Sequence, residues 1–243
     1  MKRVYVSVLH GIRSLLAAIG VLGLLDRLAR RWRWALWVRS WFAIHDLDDM
    51  LRLDVPWWTF EAADEVEAFL RERPGARVLE WGSGASTVWL SQRAGSVVSI
   101  EHDPRWAART ARALSARDAD NVELRVVPPT RLVPPGGVPS AKPGFAGLDF
   151  EEYADAVETV PGELDVVVID GRAREACLVR AIDRLAAGGI IVFDNVDRPR
   201  YRDALEALGT RLSVDWTRGL TPALPYPTRT ALVRVNRMDR VVS

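Results

Sequence analysis

The chain of 243 residues is poor in several residue types, and each shortage excludes something. It has one cysteine, Cys177, so no intrachain disulfide framework can form and a reducing compartment suits it. Lysine occurs only at Lys2 and Lys142, and the other basic residues are arginines. Of the histidines, His10 and His45 lie outside every motif described below and carry no assigned chemistry. The formal net charge of +1 exerts no global pull toward nucleic acid. A long apolar run is missing too. A bilayer-spanning helix needs about 20 apolar residues to cross about 30 Å. The uninterrupted run Ser14–Leu25 has twelve residues, roughly 18 Å of helix. Extending it back to Val4 encloses His10 and Arg13, and an arginine at mid-membrane costs roughly 2.5–3.5 kcal/mol. No small-residue cleavage site follows, which argues against a secretory signal.

What the first fifty residues do hold is arginine mixed with tryptophan, in ARRWRWALWVRSWF. Trp34, Trp37, Trp41 and Ile44 fall on one helical face, the pattern of a helix lying in a membrane interface. A helical hairpin packed on the rest of the chain, or on the partner of a homodimer, gives the same pattern. Both readings stand at this point, with a true span as a third. The expected division is a helical extension over residues 1–52 and one domain over 53–243. The expected location is cytoplasmic, with residues 1–45 resting on the inner face of the membrane.

From Glu61 onward the pattern is regular. Glu61–Arg73 has helical spacing and stops at Pro74-Gly75. Strands are predicted at Arg77–Trp81, Val97–Glu101, Val122–Val127, Asp165–Asp170 and Ile190–Asp194, and helices at Thr87–Ala94, Pro104–Ala116, Arg174–Ala187 and Tyr201–Leu208. Runs such as VVVI and IIVF do not alternate, as expected for parallel strands covered on both faces. Leu212–Thr217 and Arg229–Val235 are two further strands with no helix between them, hence antiparallel. The expected fold is α/β: a doubly wound, mostly parallel seven-stranded sheet with an antiparallel terminal strand, plus the N-terminal helical extension. Pro128–Leu148 is rich in proline and glycine and lacks periodicity, as a lid or binding loop would.

Ligands of such sheets bind over the carboxyl ends of the strands. Those ends present Glu80, the turn Gly82-Ser83-Gly84, Glu101-His102, Asp170-Gly171-Arg172 and Asp194-Asn195. Four acids at one mouth make a poor pyrophosphate site and suit hydroxyl groups, an ammonium or a metal. The turn has the first two glycines of G-x-G-x-x-G, but Thr87 stands at the third. Glu101 ends the second strand, where an acid accepts hydrogen bonds from ribose hydroxyls.

Together LEWGSGAST, SIEHD, DVVVIDGR and GGIIVFDN resemble the successive motifs of class I S-adenosylmethionine-dependent methyltransferases, over roughly Trp57 to Val235. The resemblance implies that Glu80 and the turn Gly82, Ser83 and Gly84 border the methionine part of the cofactor, with Ser86 and Thr87 in the same cofactor site. It implies that Glu101 binds the ribose, that His102 lies near the adenine, and that Asp170 faces both cofactor and substrate, with Asp170 and Asp194 as the catalytic candidates. The expected reaction is methyl transfer to a small-molecule or lipid-linked acceptor, at oxygen. The alternatives are an NAD-dependent oxidoreductase and a non-catalytic membrane-associated protein on a methyltransferase scaffold. Asp170, Asp194 and Asn195 are also similar to the metal ligands of catechol- and caffeoyl-CoA-type O-methyltransferases, which makes Mg²⁺ a candidate. That family has a lysine three residues after the first Asp, where this chain has Ala173, so the expectation is a metal-free site. Adenine amino-methyltransferases of nucleic acid carry an Asn/Asp-Pro-Pro-aromatic run that IDGR does not match, and no basic stripe interleaved with aromatics follows the domain.

Overall fold

The computed structural model describes residues 16, 18, 20–44, 46–133 and 136–236. His10, Arg13 and His45, and the start of the N-terminal apolar run, lie outside the described residues.

The main strands are β1 (Arg77–Trp81), β2 (Ser96–Glu101), β3 (Val122–Val126), β6 (Leu164–Ile169), β7 (Leu185–Asp194), β8 (Leu212–Gly219) and β9 (Thr228–Val235), and they form one sheet in the order β3-β2-β1-β6-β7-β9-β8. β1, β2, β3, β6 and β7 pair in parallel. β9, last in the chain, lies between β7 and β8 and is antiparallel to both. The expected doubly wound sheet is therefore present. Helices α4 (Phe60–Arg71), α5 (Ala85–Ser91), α6 (Pro104–Ser115), α8 (Arg174–Ile182) and α9 (Pro199–Ala207) surround it. The VVVI run of β6 shows why it is central. Val166 and Val168 pack with Val66, Leu70 and Trp89 on one face, and Val167 and Ile169 with Cys177 and Leu178 on the other. All four are fully buried, each contributing roughly 1.5–3 kcal/mol.

Two local expectations change. Gly188-Gly189 does not end a helix: α8 stops at Ile182, and the glycine pair lies inside β7. The β6–β7 register shifts between Leu164 and Val166, and a Cβ on Gly189 would come 2.9 Å from the carbonyl oxygen of Asp165. The pair accommodates an irregularity where two backbones approach closely. The loop after β3 is also less irregular than its composition suggests. Two short antiparallel strands, β4 (Thr130–Arg131) and β5 (Leu148–Asp149), close its base. An unanticipated helix, α7 (Glu151–Asp155), follows it, with Phe150 fully buried just before it and Tyr153 fully buried within it.

The extension comprises α1 (Val21–Ala29), α2 (Arg33–Ser40), a 3-10 turn (Trp41–Ala43) and α3 (Leu47–Leu53), which runs across the expected boundary at residue 52. Right-handed helical backbone runs on from α2 through the 3-10 turn and ends at Ile44, and Trp37 and Trp41 stay adjacent, their ring centroids 4.7 Å apart. Ser40 Oγ accepts from the Ala223 N–H at 2.9 Å, and Trp37 Nε1 donates to the Leu224 carbonyl at 2.8 Å. Both bonds tie α2 to the β8–β9 loop. Trp37 and Ile44 pack against a core of Leu47, Met50, Phe60, Val88 and Leu114. Buried Arg39 joins Asp49 at 2.9 Å and Asp26 at 2.6 Å. Among the described residues, no helix is long and apolar enough to cross a membrane.

Candidate active site

From neighbouring strands β1 and β6 the chain winds outward in opposite directions, through β2 and β3 on one side and β7 on the other. A crevice forms at such a switch point. Here it is a cavity of about 430 Å³, within the range of small-molecule sites. The β1 turn brings Gly82, Ser83 and, on α5, Ser86 to it; the end of β2 and start of α6 bring Glu101, His102, Asp103 and Trp106; the end of β6 brings Asp170, Gly171 and Arg172. Trp57 and the loop residues Lys142 and Phe145 complete it. Gly82 has φ +101°, and a Cβ there would meet Gly171 Cα at 2.7 Å, so both glycines are needed for the β1 and β6 turns to touch.

Glu80, Gly84 and Thr87 stand behind this wall and do not line the cavity. The Glu80 carboxyl is fully buried and held by three hydroxyls: Ser86, Thr87 at 2.5 Å and Ser99 at 2.8 Å. Thr87 also accepts from the Gly84 N–H at 2.8 Å. The residue that replaces the third glycine thus caps α5 and ties Glu80 to it. Burial pushes Glu80 up to about 7, against the hydroxyl bonds and with help from the charge of Asp170.

Glu101 reaches the cavity and is almost as buried. Oε1 accepts from the N–H groups of His102 and Asp103, both at 2.8 Å, and Oε2 accepts from Ser83 N at 3.0 Å and Ser83 Oγ at 3.1 Å. His102 Nδ1 lies 2.6 Å from Oε1, close but off the axis of a directed hydrogen bond. Burial alone would raise this carboxyl; His102, the Asp103 amide and Ser83 outweigh it and hold Glu101 below the usual range. The His102 ring contacts Phe145, with centroids 5.4 Å apart.

On the other side, buried Arg174 organises the ends of β6 and β7. It bonds Asp170 Oδ1 at 2.6 Å and the carbonyls of Asp170, Gly171 and Asp194 at 2.5, 3.1 and 2.6 Å, and lies 3.8 Å from Asp194 Oδ2. The Asp170 side chain keeps 19% exposure on the cavity wall. Asp194 keeps 2%, does not line the cavity, and bonds Thr230 Oγ1 at 2.7 Å and the Asn195 amide. Burial raises both acids, Asp194 to about 7 with the Asp170 charge assisting, and Arg174 opposes the rise. This donor set does not fit Mg²⁺. A guanidinium already lies between the two carboxylates, and Asn195 turns its N–H toward Asp194. Among the described residues, no group of three or more His, Cys, Asp or Glu could hold a metal ion.

Residues 79–196 match a family described as a methyltransferase domain. The chain carries a class I S-adenosylmethionine-dependent methyltransferase domain over these residues. Its cofactor is S-adenosylmethionine. The methyltransferase has the fold of an O-methyltransferase from Bacillus cereus in complex with S-adenosylhomocysteine, at 18% identity and TM-score 0.56, over 78% of this chain and 90% of that one. A provisionally named O-methyltransferase from Klebsiella pneumoniae matches at 19% identity and TM-score 0.57, over 83% and 90%. An rRNA methylase from Streptococcus thermophilus matches at 15% and 0.50, over 71% and 95%. No curated protein sequence matches the chain.

Of the anticipated residues, Gly82, Ser83, Ser86, Glu101, His102 and Asp170 meet at one cavity. Sequence reasoning missed Trp106, whose Nε1 donates to the Ser83 carbonyl at 2.6 Å, and Phe145. Arg174 was placed only as the start of a helix; the signal for more was its i,i+4 spacing from Asp170. Trp57 and Trp58 divide: Trp58 is core, edge-on to Trp89, while Trp57 lines the cavity.

Proposed function

We infer that the methyltransferase holds its cofactor along the β1 and β2 turns, with the reacting methyl group toward Asp170, and transfers it to an oxygen of a small-molecule acceptor. The cofactor supplies the activated methyl group on its sulfonium. The chain's own work is positioning and proton management. Glu101 accepts ribose hydroxyls, taking them in place of the Ser83 hydroxyl. Ser83, Ser86 and Gly82 let the backbone come close to the cofactor's amino-acid part, while Glu80 and Thr87 keep that turn in shape from behind. His102 and Phe145 flank the adenine. Asp170 takes the acceptor's proton, and Arg174 aims it. Asp194 positions Arg174 from inside the protein and touches neither ligand.

The observation that carries this reading is Asp170: a carboxyl on the cavity wall, beside the Gly82–Gly171 contact, with its proton affinity raised by burial. Transfer to oxygen is supported by the names of the Bacillus and Klebsiella proteins. A lipid-linked acceptor is the second reading, favoured by Trp32 and Trp34, 51% and 52% exposed, beside exposed Arg30 and Arg31. Calorimetry with S-adenosylhomocysteine and, separately, NAD, each with and without Mg²⁺, tests the main reading. Binding of the homocysteine compound alone, unchanged by Mg²⁺, is expected. Binding of NAD alone would overturn it. Co-sedimentation with anionic vesicles, reduced by Trp32→Ser with Trp34→Ser, is the outcome that would favour the lipid-linked reading.

A further inference from the structure

Five arginines gather where β6 and β7 end: Arg172, Arg174, Arg198, Arg200 and Arg202. Three are engaged. Arg174 holds Asp170, Arg200 lies 3.3 Å from Glu175, and Arg202 donates to the carbonyls of Val196 and Asp197 at 3.0 and 2.9 Å. Among the described residues, Arg172 and Arg198 have no carboxylate within ion-pair distance. Arg172 lies on the cavity wall, donating through Nη1 to the Gly171 carbonyl at 3.1 Å, its guanidinium 5.2 Å from the Phe145 ring centroid and its buried Nε without a partner among the described residues. Arg198 precedes Pro199 at the start of α9, and its contact is the Tyr201 hydroxyl at 3.4 Å. The Tyr201 ring gathers this group: Arg174, Arg198 and Arg200 lie 5.6, 5.7 and 4.7 Å from its centroid. Arg198 is exposed and stands outside the cavity lining, linked through the Tyr201 ring to the guanidinium that holds Asp170.

A half-buried arginine without a counter-ion beside the proposed base, as Arg172 is, is costly in the free protein, whereas exposed Arg198 keeps its hydration. Burial and Arg174 together weaken the hold of Arg172 on its proton. The field of Arg172 and of Arg198 both reach Asp170. A neutral acceptor would give this charge nothing to do. An oxyanion would complete it, because the planar guanidinium fork matches a phosphate or carboxylate in two parallel hydrogen bonds, and the positive end of α9 adds to the attraction. We propose that the acceptor carries an oxyanion, held by Arg172 and Arg198, next to the oxygen that is methylated at Asp170. This rests on the reading of the cavity as the cofactor site. The rival occupant of Arg172 is the cofactor's own carboxylate.

The test uses the full chain saturated with S-adenosylhomocysteine. Inorganic phosphate and, separately, acetate are titrated calorimetrically into wild type, Arg198→Ala and Arg172→Ala, and the affinity for S-adenosylhomocysteine is measured for each. One of the two anions is expected to bind the saturated protein and to lose at least 10-fold in affinity in both variants, while Arg198→Ala holds S-adenosylhomocysteine as wild type does. Three results overturn the proposal: neither anion binds, the variants bind it equally well, or the anion displaces S-adenosylhomocysteine, which would assign Arg172 to the cofactor. Failure of wild type to bind S-adenosylhomocysteine would instead remove the cofactor reading, and the proposal with it. If phosphate binds, sedimentation on phosphatidylcholine vesicles containing phosphatidic acid, abolished by Arg198→Ala, assigns a lipid source; its absence assigns a soluble one.

Discussion

The two halves of the crevice solve the problem of buried carboxyl groups differently. In the half formed by β1 and β2, Glu80 and Glu101 are satisfied by hydroxyls and backbone N–H groups, with His102 beside Glu101, and among the described residues no arginine or lysine pairs with them. In the half formed by β6 and β7, Asp170 and Asp194 share one buried arginine. Neutral donors hold a carboxyl in a fixed place yet can be exchanged for a ligand's hydroxyl. A guanidinium holds two carboxyls near each other without a metal, and removing it leaves two acids facing each other. The first arrangement suits recognition of a cofactor rich in hydroxyl groups. The second suits a proton acceptor beside an anion.

The sharpest way to break this comparison is Arg174→Met. It strands buried acids and three carbonyls, so a loss of about 3–5 kcal/mol is expected from urea denaturation. A loss below about 1 kcal/mol would show that Arg174 does not organise that half. The pH dependence distinguishes the halves next. A carboxyl whose proton affinity is higher in the folded state stabilises the fold fully below its unfolded value, and that stability is lost as pH rises through the folded one. For Glu80, raised from 4.5 to about 7, about 3 kcal/mol is lost across that window. Asp194 contributes with the same sign. Glu80→Gln is expected to flatten the dependence, leaving the Asp194 share; an unchanged slope would show that Glu80 is already ionised. Thr87→Gly has a smaller effect. It restores the dinucleotide spacing but removes the hydroxyl that caps α5, at about 1–2 kcal/mol. Thermal melts check the loss, and calorimetry should still detect no NAD binding.

The first half was also the more legible in sequence. Glu80, Glu101 and the intervening turn are fixed by where strands end, and strand ends follow from local apolar runs and glycines. Thr87 stands out in sequence as the residue at the third glycine position, but its bond to Glu80 is a three-dimensional fact. The second half depends on contacts between distant segments. Asp170 and Asp194 are both strand ends, but nothing local shows that a helix residue joins them. Phe145 reaches His102 from a loop whose composition shows only irregularity. The same limit applies to the extension. The periodicity of Trp34, Trp37, Trp41 and Ile44 is real, yet nothing local shows that Trp37 and Ser40 hydrogen-bond to the distant β8–β9 loop.

We propose that the hydroxyl-and-amide half holds the cofactor through Glu101. The most direct test is the affinity of S-adenosylhomocysteine for Glu101→Gln, which keeps the shape of the side chain and removes its charge. A charged acceptor contributes roughly 1.5–3 kcal/mol to a hydrogen bond, so affinity should fall by about 10-fold or more, with thermal melts confirming the fold. An affinity within about twofold of wild type in a folded Glu101→Gln protein would contradict the account.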